Sequence, residues 1–218
     1  MTTAVFETIR LRAGRAPLLE RHEARLAAAC GVLGLPHPEP SVAEAVARQA
    51  GMLDGVVRVE VSARGTAVTT RGLPPLSPLA VVVAATPHAP YPRKITSRAA
   101  FEAALAEARA SGGRGDDAVL VTPGGLVAEG TAWNIFWWEA DGPATPPLSL
   151  GVLPGVARGR VLELVPTVER ECTPGDLVGR GLFATNAIRG VVAIQRLNGV
   201  PVPHDSRTIQ LADRFWPD

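Results

Sequence analysis

The sequence predicts a mixed α/β (α+β) chain in two parts, and three features carry that expectation. Short runs of alternating apolar residues, which read as strands, are interleaved with segments whose apolar residues recur at helical spacing. The segment Thr86-Pro87-His88-Ala89-Pro90-Tyr91-Pro92 holds three prolines in seven residues and resists both helix and ladder. Beyond it comes the most β-like stretch, Ala118 to Trp138. We therefore expect a small N-terminal α/β domain over residues 1–87, a linker at 88–93, and a β-rich domain with helices over 94–218. A chain of 218 residues is long enough to bury a real core in either arrangement.

In order, residues 3–12 read as a strand, with Val5, Ile9 and Leu11 alternating against polar neighbours before the turn Ala13-Gly14-Arg15. From Leu18 to about Leu33 the pattern is helical. At ~100° per residue, Leu18, Leu19, Leu26, Ala29, Cys30 and Leu33 share one arc, with His22 inside it and Arg25 at its edge. Arg25 thus leans inward, as it also would if its stem only covered apolar surface. Gly34 ends this helix, Pro36 to Pro40 form a stiff connector, and Ser41 caps a second helix to about Leu53. Val56–Val61, the turn Ala63-Arg64-Gly65 and Thr66–Thr70 read as a hairpin, and Leu79–Ala85 as the next strand.

After the proline-rich segment, Thr96 or Ser97 can cap a helix to about Ala110 that Gly112-Gly113 closes. Strands are expected at Ala118–Val121, Leu126–Glu129 and Trp133–Trp138, and a helix of roughly ten residues after Gly151-Val152-Leu153-Pro154-Gly155. Further strands are expected near Thr167–Cys172, at Val191–Ile194 and at Gly199–Val202, with a closing helix from Ser206 to Trp216.

Composition excludes several classes. A formal charge of +1 with mixed signs argues against nucleic-acid or polybasic membrane binding, and the apolar runs are too short to span a bilayer. The N-terminus has no charged region followed by an apolar signal core, so a cytoplasmic protein is expected. Two cysteines, Cys30 and Cys172, make neither a disulfide framework nor a zinc site. The four histidines lack metal-ligand spacing, so no metal is expected. No Gly-x-Ser-x-Gly, Gly-x-x-x-x-Gly-Lys-Ser/Thr or Gly-x-Gly-x-x-Gly motif occurs, which removes the usual support for serine hydrolases, P-loop nucleotidases and dinucleotide-binding dehydrogenases.

Four features remain. Of 22 basic residues only Lys94 is lysine, and lysine, unlike arginine, can lose its proton and act as a nucleophilic amine. It follows the expected linker, at a seam where ligand sites favour forming. Glu129 is the one charged residue between Ala118 and Trp138, where a buried carboxylate needs a cation or hydrogen-bond donors and an edge strand would leave it facing water. The helix start after Gly155 offers backbone N–H groups to an anion such as phosphate. The fourth is Arg25. An amine, a carboxylate and phosphate-holding groups together match the needs of pyridoxal phosphate.

Five ordered motifs carry a resemblance: Phe6-Glu7-Thr8-Ile9-Arg10 with Leu19-Glu20-Arg21-His22-Glu23-Ala24-Arg25-Leu26; Lys94-Ile95-Thr96-Ser97-Arg98; Glu129-Gly130-Thr131-Ala132-Trp133-Asn134-Ile135-Phe136; Gly151 to Arg158; and Thr185-Asn186-Ala187. Over nearly the whole chain the sequence resembles fold-type IV pyridoxal-phosphate enzymes, the family of branched-chain and D-amino-acid aminotransferases and 4-amino-4-deoxychorismate lyase. The resemblance implies a C-terminal pseudo-barrel, a homodimer, and Lys94 as the Schiff-base lysine. It implies Glu129 as partner of the pyridine nitrogen, Arg25 as a phosphate ligand, and Val156, Ala157 and Thr185, with Asn186 beside them, as the phosphate cup. The chain departs from the family in having Ala157 where threonine is common and in lacking the strand and turn that usually precede Phe-Glu-Thr.

Transaminases often carry tyrosine five residues after the lysine, whereas position 99 is Ala. The Lys94–Arg98 spacing and the opening motifs look more like the lyase, and the short start resembles versions fused to aminodeoxychorismate synthase, implying a functional link to that enzyme. The lyase would take a small-molecule substrate, with Lys94 removing a proton from its amine-bearing carbon and 4-aminobenzoate and pyruvate as products. Arg10 and Arg98 are candidates for substrate carboxylates or for structural ion pairs. The alternatives are an aminotransferase acting on branched-chain or D-amino acids, and a non-catalytic homologue that binds a partner.

Overall fold

The computed structural model describes residues 3–37, 54–74, 79–112 and 115–217. The helix expected from Ser41 to about Leu53 and the proline-rich residues 75–78 lie outside them.

The N-terminal part is a three-stranded antiparallel sheet of β1 (Val5–Leu11), β2 (Gly55–Ser62) and β3 (Gly65–Arg71), with helix α1 (Leu19–Leu33) on one face. Alternation decides which side chains face α1. Val5, Ile9 and Leu11 of β1 and Val57, Val59 and Val61 of β2 pack with Leu26, Ala29 and Cys30 of the helix. Each of the buried Val, Leu and Ile side chains among them contributes about 1.5–3 kcal/mol. Glu7 shares their parity and is buried with them, 1% exposed. The opposite face of β1 carries Phe6, Thr8 and Arg10, and the register sets Arg58 of β2 beside Thr8. Gly34, at φ +62°, ends α1 in the left-handed conformation, where its own N–H and that of Leu35 reach back to the last helical carbonyls.

The second part is a larger mixed sheet whose path runs β6-β5-β4-β11-β10-β7-β8-β9. Its strands are β4 (Leu79–Pro87), β5 (Asp117–Val121), β6 (Val127–Gly130), β7 (Asn134–Trp138), β8 (Pro143–Thr145), β9 (Val168–Glu169), β10 (Leu182–Asn186) and β11 (Gly190–Leu197). β12 (Val200–Pro201) pairs with β11 off this path. β4 runs parallel to both β5 and β11, while β5–β6, β7–β8, β10–β7 and β10–β11 are antiparallel. The parallel β4–β5 crossover is made by α2 (Ala99–Ala110), which lays Phe101, Ala104 and Ala108 on Val82, Ala118 and Leu120. Helices α3 (Val156–Leu164) and α4 (Ser206–Phe215) cover Phe136, Phe183 and Val191. The α/β expectation holds.

Three local expectations change. Leu79–Pro87, expected with the N-terminal part, belongs by hydrogen bonding to the large sheet. Residues 88–92 are docked on that sheet: the His88 N–H donates to the Val121 carbonyl at 2.7 Å and the Tyr91 N–H to Gly151 at 2.7 Å. Neither Thr96 nor Ser97 caps α2, whose N-terminal boundary is Arg98 without a side-chain cap. Thr96 is held at the start of β1 instead, its N–H donating to the carbonyl of Ala4 just ahead of that strand at 2.9 Å, while Phe6 N–H donates to the Lys94 carbonyl at 2.9 Å. The Lys94 segment therefore lies along β1 and ties the two parts together.

Candidate active site

A cavity of ≈ 320 Å³ lies where the two parts meet. β1 contributes Phe6 and Thr8, α1 Arg25, β2 Arg58 and β3 Arg71. The second part contributes Lys94, Arg98, the corner from Glu129 to Asn134, the start of α3 and the turn from Thr185 to Arg189. Its described lining holds five arginines, Lys94 and one carboxylate, Glu129. Such a wall concentrates anions.

Lys94 reaches this space beside Phe6, its Nζ 4.7 Å from the ring centroid. Burial, reinforced by the positive charge of Arg25, lowers its amine to about 7, with Glu7 opposing and Arg98 and Arg58 adding to the shift. Much of the amine is therefore uncharged at neutral pH, as a nucleophile or base requires.

Arg25 owes its place to Glu7. Its Nε and Nη2 donate to the two carboxylate oxygens at 2.7 and 2.6 Å, and its Nη1 donates to the Pro154 carbonyl at 3.1 Å. His22 Nδ1 stands 2.6 Å from the same carboxylate. Burial pushes Glu7 upward, but Arg25 and His22 outweigh it and hold the carboxyl at about 2. Burial also lowers His22, against the pull of Glu7.

At the far wall α3 begins on Gly155 without a side-chain cap, and Val156 and Ala157 are buried against the cavity. Asn134 fixes that approach, its Nδ2 donating to the Leu153 carbonyl at 2.9 Å. A Cβ on Gly155 would overlap Asn134 Oδ1, so only glycine fits this close approach. Thr185 Oγ1 is buried and without a partner among the described residues. Asn186 Oδ1 accepts from the N–H groups of Ile188 and Arg189 at 3.0 and 2.9 Å, shaping the adjoining turn. Uncapped helix N–H groups, an unpartnered hydroxyl and a braced guanidinium suit a phosphate.

Glu129, 3% exposed, accepts from the Leu153 N–H at 3.2 Å and stands 3.0 Å from His88 Nε2. Burial raises its carboxyl, and the hydrogen bond and charge of His88 oppose that.

The family model for class IV amino-transferases matches residues 4–197. The chain belongs to the class IV aminotransferase family. A candidate 4-amino-4-deoxychorismate lyase of Legionella pneumophila superposes with a TM-score of 0.85 at 19% identity, over 97% of this class IV chain and 90% of that one. A branched-chain aminotransferase of Thermoproteus uzoniensis, solved with norvaline, gives 0.86 at 23% over 97% and 84%. A candidate aminotransferase of Mycobacterium tuberculosis in a PLP-bound form gives 0.85 at 21% over 98% and 88%. At these identities they show the fold. A candidate branched-chain-amino-acid aminotransferase of Thermotoga maritima is 33% identical over 88 residues, 38% of this chain, which spans 32% of that relative's length.

In this class IV chain, Lys94, Glu129, Arg25, Val156, Ala157, Thr185, Asn186 and Arg98 all line the cavity. Arg10 does not. It lies two residues beyond Thr8, roughly 7 Å further along the strand, and its Nη2 donates to Asp54 at 3.1 Å. Arg98 is already engaged, donating to the Thr131 carbonyl and stacking 4.7 Å from the Phe101 centroid. Sequence reasoning passed over Arg58, Arg71, His88 and the anchoring role of Glu7. For Glu7 a signal existed, because its parity in β1 is that of Val5, Ile9 and Leu11.

Among the described residues no group of three His, Cys, Asp or Glu side chains gathers to hold a metal, and no helix is long and apolar enough to cross a membrane.

Proposed function

We propose that the chain is a pyridoxal-phosphate enzyme that converts 4-amino-4-deoxychorismate to 4-aminobenzoate and pyruvate. The residues fit the cofactor on three counts. The Thr185 hydroxyl lacks a partner among the described residues at an uncapped helix start, Arg25 is braced beside that start, and Lys94 and Glu129 line the same cavity. Arg25, Thr185 and the N–H groups of Val156 and Ala157 would hold the phosphate, Glu129 the ring nitrogen and Lys94 the reactive carbon. When bound, pyridoxal phosphate supplies the electron sink that makes a proton on the substrate's amine-bearing carbon acidic.

Lys94, with its amine near neutrality, takes that proton. The carbon–oxygen bond to the enolpyruvyl group then breaks, the ring becomes aromatic, and the departing enolate takes up a proton to become pyruvate. The observation that carries the lyase reading is the number of arginines in the lining besides Arg25. Arg58, Arg71 and Arg98 line the cavity, Arg58 sharing its guanidinium with Glu60 at 2.8 Å. A substrate with two carboxylates uses such a wall, whereas a branched-chain amino acid brings one carboxylate and an apolar tail.

The second reading, an aminotransferase on branched-chain or D-amino acids, draws support from the aminotransferases of the same fold. A homodimer and a functional link to aminodeoxychorismate synthase go with the lyase reading, and sedimentation of the holoenzyme tests the first. Release of pyruvate and 4-aminobenzoate from aminodeoxychorismate, followed in a coupled assay, tests the function. No product from cofactor-loaded protein, together with conversion to the pyridoxamine form by an amino acid alone, would replace it with the aminotransferase.

A further inference from the structure

We infer that His88 is a positioning residue for Glu129, holding that carboxylate fixed and ionised at the cavity wall. The inference rests on the proposed cofactor site and adds to it a residue that does not line the cavity. His88 and Glu129 are each 3% exposed, and His88 Nε2 lies 3.0 Å from Glu129 Oε1. Glu129 lines the cavity, so the imidazole holds the carboxylate from behind.

The ring has little freedom. Its backbone N–H is pinned to the Val121 carbonyl at 2.7 Å, and the ring stands edge-on to Phe101 at 6.2 Å and 82°. An ionised carboxylate only accepts, so Nε2 must carry a proton, in either the Nε2–H tautomer or the imidazolium.

A carboxylate this far from water binds a proton readily unless its surroundings oppose it. Three groups oppose it in the structure: His88, the Leu153 N–H and the charge of Lys94. Tyr91 and Arg98 lie next in that wall and pair with each other at 3.4 Å. The Leu153 N–H is neutral, and Lys94 loses its charge near neutrality, at about 7. His88 is the donor that stays in place whatever Lys94 does. Without it burial pushes Glu129 further toward the neutral acid, which cannot face a protonated ring nitrogen as a fixed charge.

The test uses the full chain, first without cofactor. With side-chain ¹³C-labelled glutamate, the Glu129 carboxyl resonance is identified by its loss in Glu129→Gln. At pH 7 it should lie at the carboxylate position in the wild type, move to the protonated position in His88→Leu, and return in His88→Gln, which keeps an N–H donor. In parallel, the dissociation constant for pyridoxal phosphate should rise about tenfold in His88→Leu, the worth of one hydrogen bond to a charged group, and recover in His88→Gln. A folded His88→Leu with an ionised Glu129 and unchanged affinity would overturn the inference. Wild-type protein that binds no pyridoxal phosphate would sink the proposed function, while the carboxyl resonance would still decide the role of His88. Should His88→Leu not fold, the ¹⁵N imidazole spectrum of Glu129→Gln decides: a changed His88 pattern supports the pair, and an unchanged one refutes it.

Discussion

Arg25 and Glu7 form a two-pronged ion pair, Nε to Oε1 at 2.7 Å and Nη2 to Oε2 at 2.6 Å, with the carboxylate inside the N-terminal core. The third arm of the same guanidinium reaches the Pro154 carbonyl just ahead of α3. One arginine thus links the first sheet to the loop that opens the proposed phosphate cup, and a buried carboxylate fixes its direction.

Glu7→Gln should therefore lower both stability and cofactor affinity. Breaking one side of a buried pair costs about 3 kcal/mol or more, read as a lower denaturation midpoint. The carboxyl is held at about 2 against an ordinary 4.5, so its stabilisation is fully present above pH 4.5 and lost as pH falls toward 2. Acid titration of stability should be shallower in Glu7→Gln across that window. Equal slopes for variant and wild type would refute the pairing.

Lys94→Arg should keep the fold and lose activity by at least about 10²–10⁴-fold. Borohydride reduction of the wild-type holoenzyme should leave pyridoxyl on Lys94, the one lysine in the chain, and the variant should carry none. Label on the N-terminus with Lys94 untouched would remove Lys94 from the reaction.

The amine of Lys94 is lowered to about 7, chiefly by burial. Capture of pyridoxal phosphate by cofactor-free protein should therefore quicken with rising pH and level off above about 7, because the uncharged amine attacks. Stopped-flow absorbance reads the rate. A midpoint near the ordinary 10.5 of lysine would contradict the electrostatics of the cavity.

Thr185→Val should separate the cup from the fold. Its hydroxyl is buried without a partner among the described residues, so removing it should leave the cofactor-free protein as stable as before or more so. Affinity for pyridoxal phosphate should fall about tenfold, the worth of a lost charge-assisted hydrogen bond. Equilibrium dialysis and thermal melting measure the two effects.

Arg58→Gln and Arg71→Gln should raise KM for aminodeoxychorismate by at least about tenfold, with a smaller effect on the affinity for cofactor. Steady-state kinetics beside cofactor titration separates the two. A KM that stays put in both variants would move the substrate carboxylates elsewhere.

Much of this was legible in the chain itself. Alternation at Val5, Ile9 and Leu11 gave the first strand, and the arc through Leu26, Ala29 and Cys30 gave the helix that covers it. The solitary lysine, the isolated acid Glu129 and the Gly155 helix start marked three walls of one cavity. These signals are local, because a strand's parity, a helix's arc and a residue's chemistry are properties of neighbours in sequence.

Other features waited for the tertiary structure. Arg10 and Arg58 look alike as arginines in strands and each pairs with a carboxylate, Asp54 and Glu60, yet only Arg58 of the two lines the cavity. His88 meets Glu129 across 41 positions, and no spacing rule connects them. Thr96 carries the signature of a cap but is held by the Ala4 backbone, because a strand partner from far along the chain competes for the same groups. Sequence alone determined which residues were chemically able to act. Packing and cross-strand register decided which of them meet, since burial gives a charge its partner and a partner fixes where it points.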